Sequence, residues 1–185
     1  MQTRQSPFLC LVQRPKNAAL LGLGFAGLYA LTFVLVGTKA VTLPMLLVVP
    51  VALLISAVDT MTYRIPDVCN LGVVVLGAWH IAGQAELGLH VSAALCVGAV
   101  FWGLSAWYYR RFGRTGLGLG DVKFIAAATV WVGPLGLPYV LLIASCAGIV
   151  VALVGRGRLM GDGGQIAVPF GPFLAFGFFV VLVAG

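Results

Sequence analysis

The chain has 185 residues, 61% of them hydrophobic and 9% charged, with a formal net charge of +6. A mean hydropathy of +1.08 leaves too little polar surface for a water-soluble globule. Apolar runs of 16 to 20 residues recur with no long polar segment between them, which excludes a separate soluble domain and predicts an all-α, polytopic membrane bundle.

Residues 1–17 are polar and basic, with Arg4, Arg14 and Lys16. The run Ala18–Val36 is long enough to cross a membrane and no small-residue cleavage site follows it, so it is expected to be a retained first span. Residues 1–40 thus form an N-terminal region, ahead of a core at 41–185. A second span runs from Val41 to Val58, where Pro44 and Pro50 are tolerable in a packed bundle. Asp59 closes it, and Thr60–Asp67 forms a loop carrying Arg64. Pro66 restricts Ile65 to extended backbone, which breaks the helix there.

The third span, Val68–Gly83, is short, at roughly 24 Å by helical rise. Gln84–His90 is a loop with Glu86, and the fourth span is Val91–Tyr109. Trp107, Tyr108 and Tyr109 beside Arg110 and Arg111 mark the point where a helix leaves the membrane. A loop to Gly120 leads into the fifth span, Asp121–Val132. Gly133–Pro138 reads as a tight turn, and Tyr139–Val154 as the sixth span. The glycine-rich loop Gly155–Gln165 carries Asp162, which lacks an adjoining hydrophobic helix and is expected to be solvated. A seventh span begins near Ile166, with Pro169-Phe170-Gly171-Pro172 close to its start.

Seven spans distribute charge unevenly. Arg4, Arg14, Lys16, Arg64, Arg110, Arg111, Arg114, Lys123, Arg156 and Arg158 fall in segments on one side, and only Lys39 on the other. The positive-inside rule then puts the N-terminus in the cytoplasm and the C-terminus outside. Asp59 and Asp121 share the cytoplasmic side. Charge arranged this way marks topology, with arginines facing lipid phosphates, and not a nucleic-acid partner. Cys10, Cys69, Cys96 and Cys146 stand singly without a Cys-x-x-Cys pair, so neither a zinc site nor any other metal or cofactor is expected. Three of the four lie in apolar helices, where cysteine packs as a small hydrophobe.

Only five residues are acidic. A carboxylate at membrane depth costs several kcal/mol, which makes Asp59 and Asp121 functional candidates. Each could instead merely end a helix; for Asp121, behind Gly120 and in a first helical turn, that explanation fits well. Two carboxyl groups held close together share one proton. One then acts as general base on a water while the other polarises a carbonyl. Gly118 and Gly120 would let a substrate backbone approach Asp121. Lys123 either tunes the pair, holds a loop or snorkels to the interface. Asp67 and Asn70 read as first-turn polar residues of the third helix. His80 and His90 are expected on the outer side, which leaves Ser–His chemistry without its base. Two other functions use the same acids: a proton-coupled transporter, whose relay would sit nearer the midplane, and a non-catalytic assembly subunit joined by polar residues.

Three stretches occur together: Asp59 with Ile65-Pro66, Gly118-Leu119-Gly120-Asp121-Val122-Lys123, and Pro169-Phe170-Gly171-Pro172-Phe173-Leu174. On these motifs the chain, from about Leu43 to its C-terminus, resembles the prepilin peptidase family, membrane aspartic proteases of the GxGD type. The resemblance implies Asp59 and Asp121 as the catalytic pair, Gly118 and Gly120 as the flexible approach, and Lys123 as a motif residue. It implies a pilin-like precursor as substrate, cut at the cytoplasmic face of the bacterial inner membrane. The chain lacks the cysteine-rich loop of the long members, which also N-methylate the product. It is similar to the short members found with tight-adherence (Flp) pilus systems, and methyltransferase activity is not expected from it.

Overall fold

The computed structural model describes residues 26–27, 29–31, 34, 42–113, 116–159 and 169–185. Their regular structure is helical throughout: α1 Leu43–Thr62, α2 Asp67–His80, α3 Leu87–Phe112, α4 Leu119–Leu159 and α5 Gly171–Ala184. Residues 26–34, where described, are helical too. Helices α1 and α3 and residues Leu119–Leu153 of α4 are long and apolar enough to cross a membrane, while α2 and α5 are shorter apolar helices. The architecture is an all-α membrane bundle. Most of the N-terminal region 1–40, Arg114, the Asp162 loop and the side chains of Arg156 and Arg158 lie outside the described residues.

Helix ends follow local chemistry. Helix α1 runs one turn beyond the expected end and closes at Tyr63, a non-glycine residue in left-handed backbone (φ 54°) whose N–H returns to the Asp59 carbonyl. Pro66 caps α2 from extended backbone, and Asp67 sits favourably in the first turn. That helix stops at His80, three residues before the expected end. Gly113, at φ 65°, closes α3.

Helix α4 is two arms joined at Gly133, whose φ of 67° and ψ of −178° suit only glycine. The expected six-residue turn shrinks to this one residue, because Pro134 lacks an N–H and can begin a helix at once. Without that N–H the Val130 carbonyl loses its helical donor. His90 Nδ1 replaces it at 2.9 Å, and because a carbonyl only accepts, that nitrogen carries the proton. Beyond the break the chain doubles back. A Cβ on Gly136 would lie 3.6 Å from Val181 and one on Gly148 3.8 Å from Phe170, so the second arm runs antiparallel to α5.

Lipid is as apolar as leucine, so helices in a membrane associate through close packing. Helix α4 is central and touches α2, α3 and α5, while α1 packs on α2 and α5. Ala52, Ala127, Ala128, Ala144 and Ala175 are buried between larger Ile55, Phe124 and Phe178. At Gly177 the backbones come so near that a Cβ would stand 2.5 Å from the Val140 carbonyl oxygen. Gly77 similarly admits the Trp131 indole, which donates to the Val73 carbonyl at 2.8 Å. His80 stacks on that indole and bonds Thr42 Oγ1. Both histidines therefore hold helices together at the end of the bundle away from Asp59 and Asp121.

Candidate active site

Asp59 lies in the last turn of α1 and is only 4% exposed. Its buried neighbours Ser56 and Thr60 turn their hydroxyls back onto carbonyls of their own helix, at 2.9 and 2.6 Å. The Asp59 carboxylate is satisfied from elsewhere: Oδ2 accepts the backbone N–H of Gly171 at 3.0 Å. Gly171 is the first residue of α5, where backbone N–H groups have no partner inside the helix. A Cβ there would stand 2.6 Å from Oδ2 and 2.8 Å from Cγ. Only glycine fits between the acid and the helix start.

Asp121 occupies the first turn of α4. A Cβ on Gly118 would lie 3.1 Å from its Oδ2, and a Cβ on Gly120 3.2 Å from the Ile65 Cβ. Neither glycine is in left-handed backbone. Gly118 thus clears space beside the acid, while Gly120 lets α4 start directly against the Ile65-Pro66 segment. The two expected approach glycines have different jobs.

The acids, 62 positions apart in sequence, line one cavity of about 560 Å³ with Gly118. Tyr63, Gly116, Leu117, Pro169 and Phe170 complete its lining. At the rim, burial and then the Asp59 carboxylate push the Tyr63 phenol above its ordinary pKa.

Lys123 does not line this cavity. Its Nζ meets Asp67 Oδ1 at 2.7 Å, with both side chains largely exposed, and so ties the start of α4 to the start of α2. That contact joins two helix starts and turns the Lys123 Nζ to Asp67, a residue outside the Asp59–Asp121 cavity. Asp67 and Asn70 both stand in the first turn of α2 as expected, Asp67 exposed and Asn70 buried at 5% exposure. Among the described residues no three His, Cys, Asp or Glu side chains converge as metal ligands. The sequence flagged both acids but gave Gly171 no role of its own; its signal was the Pro-Phe-Gly-Pro run. Tyr63 and Leu117 carried no signal.

Fold and site together define a helical membrane protein with two carboxyl groups on one cavity at one end of its bundle. The chain belongs to the type IV leader peptidase family, whose model matches residues 46–153. It is 37% identical over 131 residues to a type 4 prepilin-like proteins leader peptide-processing enzyme of Escherichia coli, covering 66% of this chain and 44% of that one. It is 38% identical to a prepilin leader peptidase/N-methyltransferase of Burkholderia pseudomallei, covering 68% and 41%. To the protein of that name from Aeromonas salmonicida it is 31% identical, covering 78% and 50%. The chain spans about half the length of these relatives. No solved structure matches it significantly.

Proposed function

We propose that the protein is a membrane aspartic endopeptidase that removes the leader of pilin-like precursors at the cytoplasmic face of the bacterial inner membrane. The observation that carries this reading is the shared cavity of Asp59 and Asp121, in a chain of the leader peptidase family. One carboxylate takes a proton from water as the water oxygen attacks the scissile carbonyl. The other carboxyl group gives its proton to the carbonyl oxygen, forming a tetrahedral diol. Collapse of the diol breaks the C–N bond: the leaving amine takes up the proton held by the first carboxyl group while one diol hydroxyl returns a proton to the second carboxylate, which restores the pair. This sequence needs neither metal nor cofactor.

The basic residues clustered between apolar runs support an N-terminus in the cytoplasm, with both acids on that side. Placement of the acids in the last turn of α1 and the first of α4 favours chemistry at the membrane surface over a midplane proton relay. The proposal covers leader cleavage alone and not N-methylation. Asp59→Asn and Asp121→Asn, each still inserted in the membrane, should lower cleavage of a pilin-like precursor by about a thousandfold or more. Near-normal cleavage by either variant removes its aspartate from the pair.

A further inference from the structure

The mechanism uses Asp121 and the space beside it but leaves open what fixes the glycine loop in front of it. Gly116 and Leu117 line the cavity, and Gly118 stands against the Asp121 carboxylate. A stretch with two glycines in three residues has many conformations available, so holding it in one requires contacts from outside. The last turns of α3 supply them. Ser105, 8% exposed, donates its hydroxyl to the Leu117 carbonyl at 3.0 Å. Three residues on along the same helix, the Tyr108 ring lies flat against Gly116, where a Cβ would stand 2.8 Å from Cδ1. Tyr108 is in turn braced by Phe112, with ring centroids 4.7 Å apart. Between these two contacts the Leu117 side chain packs against the buried core.

We propose that Ser105 and Tyr108 are positioning residues that set the Gly116-Leu117-Gly118 backbone at the edge of the Asp59–Asp121 cavity, and so set where the precursor's extended chain lies relative to the two acids. The inference rests on the peptidase reading above. Neither side chain touches the reacting atoms; both act through the loop. Ser105 is one of two buried residues of α3, and a hydroxyl turned to a loop carbonyl twelve residues away has no part in closing α3 itself.

The test is steady-state leader cleavage by the full-length protein in detergent, with melting temperature measured alongside. Ser105→Ala and Tyr108→Ala should each lower kcat/KM by about tenfold, as expected for loss of one positioning contact. Ser105→Thr and Tyr108→Phe, which keep the hydroxyl and the ring, should stay within about twofold of wild type. Gly116→Ala should fall as far as Tyr108→Ala, and combining it with Tyr108→Ala should cost no more than the worse single change, because the ring that the new methyl meets is gone. Should Ser105→Ala fail to fold, the Gly116–Tyr108 pair decides alone. Independent losses at those two positions, or a Ser105→Ala enzyme that folds and cuts at the wild-type rate, overturn the positioning role. A wild-type protein that cuts no pilin-like precursor overturns the peptidase reading instead.

Discussion

Gly171 presents a backbone N–H to Asp59 Oδ2 and has no room for a methyl group. Gly171→Ala therefore pushes either the carboxylate or the start of α5 out of place. Cleavage should drop by about a hundredfold in a protein that still inserts, measured as precursor processed per molecule in membranes. Asp59→Glu meets the same wall and should not rescue activity, although it keeps the charge. A pair that works with one shared proton loses its base when both groups are protonated and its acid when both are ionised. The pH profile of kcat should be bell-shaped, with the acid limb absent only if a different group supplies the base. Both acids were legible in the sequence because a carboxylate stands out in an apolar run. Gly171 was visible only as a motif letter, since its partner lies 112 residues earlier and no local pattern records that contact.

Helix positions were readable from apolar runs, but helix joints were not. Gly133-Pro134 looks like a longer turn because a proline that begins a helix and one that ends a turn are the same letter. What settles the matter is His90, 40 residues away, which satisfies the carbonyl that Pro134 leaves without a donor. His90→Ala should destabilise the joint by about 1–3 kcal/mol, read from unfolding of the detergent-solubilised protein, with cleavage far less affected. Gly177→Ala places a methyl against the Val140 carbonyl and should cost about 1–3 kcal/mol by separating α5 from the second arm of α4. The Lys123–Asp67 pair sets a smaller scale. It is exposed at both ends, so Lys123→Ala should shift stability by less than about 1 kcal/mol and the shift should shrink in high salt. A large loss of cleavage in Lys123→Ala with unchanged stability would instead give this lysine a place in the chemistry.

Across the whole molecule, the two ends of the bundle are divided by task. One end carries the acids, the glycine loop and the start of α5; the other is fastened by His80, His90 and Trp131. The sequence disclosed this division through charge, but not the order in which helices meet, because packing partners in a bundle are far apart in the chain. Assembly order has a biological side. Asp59 is made early, whereas the N–H its carboxylate accepts and the Phe170 that lines the same cavity come more than a hundred residues later. A nascent chain that has reached only α4 carries both aspartates but lacks the α5 residues that complete their surroundings. The surroundings of the pair are thus complete only once α5 has been synthesised and packed against α1, which ties the finished cavity to a late step of assembly.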